Sequence, residues 1–172
     1  TSHVRRRVQA ADAVMEFRID CPYCGADHPL MWGGADVRYG FKWDNADPAT
    51  VRHVCPHCNE AITQADYLSI WEAGRWVSRC GDYIYDHIAK VWTDSHGAPR
   101  KPPRHVAFVK VWTAYSPQRA WPDIVREFLE ARKAQKLGDS GPMQGFKNET
   151  LADVWEEEYD HTDASLLRER AQ

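Results

Sequence analysis

Two short words in the sequence carry atoms able to hold a metal. Cys21-Pro22-Tyr23-Cys24 is followed by Gly25, and Cys55-Pro56-His57-Cys58 by Asn59. Each tetrad sets two thiols on one tight turn. The Gly or Asn after the second cysteine tolerates a left-handed backbone, which lets N–H groups turn toward the sulfurs. Brought together, the turns offer Cys21, Cys24, Cys55 and Cys58 as one tetrahedral four-sulfur site. Zinc suits such a site, because it needs no redox chemistry and stabilises a small fold by tying remote strands together. Iron is the alternative metal, since spacing alone does not separate the two. Two disulfides, or four buried free thiols, are the metal-free readings. A closed shell of four thiolates has no open position for water, so its chemistry is structural. The neighbouring His53 and His57 are expected to be exposed. Cys80, alone in Arg79-Cys80-Gly81-Asp82, is expected to be a thiol outside the shell.

The elements that must position these turns are legible as patterns. Val14 to Ile19 alternates and delivers the chain into the first turn as a strand, and Leu30-Met31-Trp32 is expected to be the strand leaving it. Val37, Tyr39, Phe41 and Trp43 alternate with Arg38, Gly40 and Lys42, which predicts a strand with one wet face. Asp44 to Ala49 turns the chain toward Val51 and Val54, which lead into the second turn. Thr63 offers an N-cap to a helix carrying Tyr67, Leu68 and Trp71 on one side, closed by Gly74. Trp76-Val77-Ser78 and Ile84-Tyr85 read as short strands, and 94–104 as a proline-rich loop. The run from Val106 to Tyr115 is nearly continuous in apolar residues and predicts a strand buried in a sheet. Trp121, Ile124, Val125, Phe128 and Leu129 recur at helical spacing. Met143, Phe146, Leu151 and Trp155 are the candidate buried positions of a second helical stretch, and Leu166-Leu167 of a final one. The expected class is α+β: a Cys₄ zinc-ribbon β module followed by a buried strand and amphipathic helices. Its divisions are an N-terminal connector at 1–13, the ribbon at 14–62, helix and strands with the basic loop at 63–115, and a helical segment at 116–172.

The 172 residues are 43% hydrophobic with net charge −3, and include eight Trp and seven Tyr. That is enough for one globular domain or two small ones, packed largely on rings. No apolar run approaches the roughly 20 residues of a membrane span, and no apolar stretch follows Arg5-Arg6-Arg7 as in a signal peptide, so a cytosolic protein is expected. The absence of a starting Met gives the chain the look of a piece of something longer. Arg38, Lys42 and Arg52 between the turns, and Arg100, Lys101 and Arg104 in the loop, are the candidates for phosphate contact. The acidic net charge argues against a strong grip on DNA. There is no Gly-x4-Gly-Lys-[Ser/Thr] loop for ATP. The acidic run Glu156–Asp163 lacks an apolar framework to converge its carboxylates and reads as a solvated helix end.

One succession is specific enough to point to a family. Phe108-Val109-Lys110-Val111-Trp112-Thr113-Ala114-Tyr115-Ser116-Pro117 is followed by Trp121, then Glu127-Phe128-Leu129-Glu130-Ala131, Gly145-Phe146-Lys147-Asn148-Glu149-Thr150-Leu151 and Trp155-Glu156-Glu157. Together with the Cys-Pro-His-Cys turn, this order resembles the GpA family of large terminase subunits of tailed phages. It departs from the family at Lys147, where Val is common, and at Leu151-Ala152, where Leu-Gly is usual. The resemblance implies a middle segment of a DNA-packaging motor, between an N-terminal ATPase and a C-terminal metal-dependent endonuclease, with both catalytic centres outside these residues. On it, 106–155 is expected to form a lid behind the nucleotide fold, and the ribbon to act as a docking module with possible DNA contact. Implied partners are double-stranded DNA, the terminase small subunit, the portal protein and the rest of the large subunit, in the host cytoplasm. A free-standing zinc-ribbon transcription accessory factor is the alternative; it would leave the second half of the chain without a task.

Overall fold

The computed structural model describes residues 3–153. Trp155, the acidic run and the final helix at Leu166-Leu167 lie outside them.

A first helix, α1 (His3–Gln9), precedes β1 (Ala13–Asp20), the strand on which the larger sheet is built. Its alternation buries Ala13, Met15, Phe17 and Ile19. After the first cysteine turn, β2 (Asp27–His28) pairs back on Ile19 and Asp20. The chain then enters a second, three-stranded antiparallel sheet of β3 (Gly40–Lys42), β4 (Arg52–Val54) and β5 (Ala61–Ile62). Helix α2 (Gln64–Ile70) starts on a capping box, with Thr63 accepting from the Asp66 N–H and Asp66 reaching back to Thr63. A short 3₁₀ turn then runs to Gly74. β6 (Arg75–Ser78) returns to β1, and β7 (Ile84–Asp86) and β8 (Val91–Thr93) extend the meander outward. β9 (Val106–Phe108) lies parallel to β1, so that Met15 is paired with Ser78 on one side and Phe108 on the other. Helix α3 (Trp121–Lys136) and the short α4 (Gly141–Gly145), continued by a π-helical turn over Phe146–Thr150, close the described chain.

The α+β class and the cysteine-bearing sheet region are as expected, but three strands are not, the one expected from Val37 to Trp43 being confined to Gly40–Lys42. Leu30-Met31-Trp32 is irregular: the Phe41 N–H is shared between the Met31 and Trp32 carbonyls. Gly33 and Gly40 let the loop close on itself; a Cβ on Gly33 would sit 2.4 Å from the Tyr39 carbonyl oxygen. The apolar run at 106–115 is a strand only to Phe108. Val109 donates to Met15, and Lys110 then takes φ 56°, a left-handed turn out of the sheet. The run serves two surfaces. Phe108 and Val111 are about half exposed, whereas Trp112 and Ala114 enter the core. Leu68, expected on one side of the helix with Tyr67 and Trp71, is exposed, because it stands about 100° round α2 from buried Tyr67.

The core is continuous. Phe17, Ile19, Cys21, Phe41, Cys55 and Tyr67 share one cluster with Trp112, Trp121, Ile124 and Phe146. Tyr115 fastens it by polar contacts, its hydroxyl donating to the Phe17 carbonyl at 2.9 Å and accepting from the Leu30 N–H at 2.8 Å. Trp112 Nε1 donates to the Leu30 carbonyl at 2.9 Å. Tyr115→Phe should therefore leave the Leu30 N–H and Phe17 carbonyl without that partner, at a cost of about 1–3 kcal/mol. Urea denaturation measures it, and a midpoint equal to that of the parent would mean that water replaces the hydroxyl without loss.

Candidate metal centre

The two cysteine turns have the same backbone. Cys21 N–H donates to the Ala26 carbonyl and Gly25 N–H to the Cys21 carbonyl; Cys55 N–H donates to Glu60 and Asn59 N–H to Cys55, all at 2.9–3.1 Å. Gly25 and Asn59 take φ 73° and 62°, the left-handed conformation that closes each turn. The consequence is a set of amides directed at sulfur. His57 N–H donates to Cys55 Sγ at 3.4 Å, and the Tyr23 and Cys24 N–H groups face Cys21 Sγ.

All four Sγ atoms lie within 4.8 Å of one another. Cys21 Sγ is 3.8 Å from Cys58 Sγ, and Cys24 Sγ is 4.0 Å from Cys55 Sγ. A tetrahedron with metal–sulfur bonds of about 2.3 Å has edges of about 3.8 Å. The donor set therefore fits a four-coordinate ion, and the five cysteines of the chain are all free thiols. Cys21 and Cys55 are buried, Cys58 half-buried and Cys24 exposed, so the centre is open to solvent on the Cys24 side. Burial pushes the Cys21 and Cys55 thiols above their ordinary range, while the Ala26 N–H holds Cys24 below it. Four thiolates this close repel one another, and a bound dication is what makes the fully ionised set compatible.

His53 is fully buried, contrary to the expected exposure. It lies on β4, whose inward face it shares with the core, and its ring stacks on buried His28 at 5.2 Å and 7° between planes. Its Nε2 accepts from the Met31 N–H at 3.1 Å, which holds the irregular loop at 30–40. Burial drives its pKa down to about 3, so the ring stays neutral and able to accept. His57 is exposed, as expected, and so is Cys80, whose Sγ rests 3.3 Å from Ser78 Oγ.

The basic candidates separate into two groups. Arg52 makes a bidentate pair with Asp44, both bonds at 3.0 Å, and Lys42 Nζ turns inward to the Gly34 carbonyl at 2.7 Å. Arg38 is exposed. Arg100, Lys101 and Arg104 line one open groove with Asp12 and Tyr83, and the Arg100 guanidinium lies 4.0 Å over the Tyr83 ring. Two residues with structural work went unsingled in the sequence. His28 forms the imidazole stack, and Gln64 receives the Trp121 N–H at 2.8 Å and donates to the Arg119 carbonyl at 2.9 Å, thereby capping α3 from α2. Position at the first turn of α2 was the only available signal for Gln64, and it does not distinguish a cap for a remote helix.

Residues 1–76 match the family model described as phage terminase large subunit gpA, ATPase domain, and residues 106–172 the model described as terminase large subunit gpA, endonuclease domain. Both cysteine turns fall in the first match. The stretch at 106–155, expected to be a lid behind the nucleotide fold, falls in the second. The large terminase subunit of Escherichia phage lambda is 31% identical over 171 residues, 99% of this chain and 25% of that protein. That of Enterobacteria phage P21 is 33% identical over 144 residues, 83% of this chain and 21% of that protein. The chain spans a quarter or less of the length of these curated relatives. No solved structure matches it.

Proposed function

Because the chain belongs to the gpA family of phage terminase large subunits, we propose that it is the metal-held joint between the packaging ATPase and the endonuclease of such a subunit. The observation that carries this reading is the shared core. Phe41, Cys55 and Tyr67, from the stretch similar to the ATPase domain, pack in one cluster with Trp112, Trp121 and Phe146, from the stretch similar to the endonuclease domain. Zinc is the ion that Cys21, Cys24, Cys55 and Cys58 would hold, and when bound it would supply rigidity without a reactive position. The parent subunit would translocate and cut double-stranded DNA in the host cytoplasm, meeting the small subunit and the portal. Among the described residues no helix is long and apolar enough to cross a membrane.

Elemental analysis with a melting curve tests the metal. One equivalent of zinc per chain is expected, with a large fall in melting temperature on chelation. Iron would replace zinc in the joint, and a metal-free protein melting unchanged with chelator would end the reading.

A second reading, direct DNA contact, is favoured by the convergence of Arg100, Lys101 and Arg104 on one groove. Replacing Lys101 and Arg104 with Ala should weaken duplex binding uniformly across sequences and reduce the salt slope by about two. An unaltered slope in binding titrations from low to moderate salt would remove the groove from the DNA path.

A further inference from the structure

Between the loop at 32–35, β3 and α3 lies a cleft of 160 Å³ that includes none of the four cysteines. Its walls are aromatic. Trp32 stands 5.5 Å from Trp43 and 5.0 Å from Phe128, Trp43 stands 5.6 Å from Phe128, and Phe41 closes the inner end. Two cations, Lys42 and Arg132, flank these rings, and no carboxylate is among the residues that line the cleft. Lys42 spends one of its three N–H donors on the Gly34 carbonyl. Burial lowers its pKa, as expected of an ammonium short of negative partners. Arg132 is exposed and makes no ion pair or hydrogen bond among the described residues.

We propose that this cleft takes one unpaired nucleobase, stacked on Trp43 and Trp32, with the adjoining phosphate held between Lys42 and Arg132. The volume is well below the roughly 300 Å³ of an ordinary small-molecule site, so it admits one ring system and not a whole nucleotide. Aromatic rings beside cations are the combination that binds single strands, because every base has a π face and every nucleotide brings a negative charge. A cationic ligand is disfavoured by the flanking Lys42 and Arg132, and a purely apolar one would leave both cations unanswered. A base inside a duplex offers no free face, so the site selects a frayed end or an opened strand. The placement accounts for the inward turn of Lys42, a residue otherwise expected to meet duplex phosphate.

The inference rests on the reading that this segment works against DNA, and one titration series keeps the two apart. Metal-loaded protein is titrated with a short oligothymidylate, with the same strand made abasic, and with a duplex, while tryptophan fluorescence and anisotropy are followed. Oligothymidylate should quench the tryptophans and bind about tenfold or more tightly than the abasic strand. Trp43→Ala should remove that difference, and Arg132→Ala should weaken both strands and reduce the salt slope by about one. Arg132 is exposed, so its variant folds even if Trp43→Ala does not. Equal binding of oligothymidylate and abasic strand by the parent protein would overturn the base site while leaving phosphate contact in place. Oligothymidylate binding that depends on Lys101 and Arg104 but not on Arg132 would do the same. No binding of any nucleic acid would overturn both readings, and quenching by an aromatic acidic peptide in place of the oligonucleotide would assign the cleft to a protein partner.

Discussion

Cys55→Ser is expected to abolish stoichiometric metal binding and to unfold most of the described structure at room temperature. Cys55 is fully buried at the joint of both sheets, and its thiol packs in the same cluster as Ile62 and Tyr67. A structural zinc site contributes about 10–16 kcal/mol of apparent binding free energy at neutral pH, as much as the whole stability of an ordinary domain of about 5–15 kcal/mol. Serine places a poor ligand where water cannot enter to complete the shell. Cys24→Ser should be milder, because Cys24 is exposed and a water can occupy its corner of the tetrahedron. The ordering is the informative result. Metal content by elemental analysis and far-UV circular dichroism are measured on both variants. Full metal and parental melting in Cys55→Ser would refute the four-thiolate site, whereas equal loss in both variants would refute the role assigned to burial.

The four-cysteine cluster is legible in the sequence because its determinants are local. Two tetrads with a left-handed residue behind each specify the turns, and the tetrahedron needs only that β1 and β4 bring them together. The strand at 13–20, the Thr63 cap and the face of α3 were equally local. What failed was decided by contacts remote in sequence. The run at 106–115 has no period, so nothing in it announces that Lys110 turns left-handed and that Trp112 belongs to a different surface from Phe108. His53 looked like a polar residue beside an exposed turn. It is buried because the loop at Met31 needs an acceptor and His28 offers a ring to stack on. The same blindness hid Gln64, whose partners lie across the core at Arg119 and Trp121. Nothing in the order of ribbon module, strand and helices announces that α3 packs on the ribbon; a module this small cannot bury Phe41 by itself, and Trp121 at the start of α3 completes it.

Trp121→Ala should reveal whether that completion is energetic as well as geometric. Trp121 is fully buried, its ring 4.6 Å from Phe41 of the ribbon and 5.4 Å from Tyr67 of α2, with Nε1 donating to the Ala114 carbonyl. Truncation opens a cavity and orphans that carbonyl, for a loss of about 3–5 kcal/mol. Leu137→Ala, at an exposed position just past α3, should change stability by no more than about 0.5 kcal/mol and serves as the control. The shape of the melt matters more than its midpoint. If ribbon and α3 are one cooperative unit, Trp121→Ala lowers a single transition, and the same transition moves on chelation, so the variant also gives up its metal to a weaker chelator than the parent protein does. If they are two units in contact, the variant splits the melt into a chelator-sensitive step at its parental temperature and an earlier step that ignores the metal. The single transition is the outcome expected of one core shared by the stretch similar to the ATPase domain and the stretch similar to the endonuclease domain, and the split melt would show that their contact adds little to the stability of either.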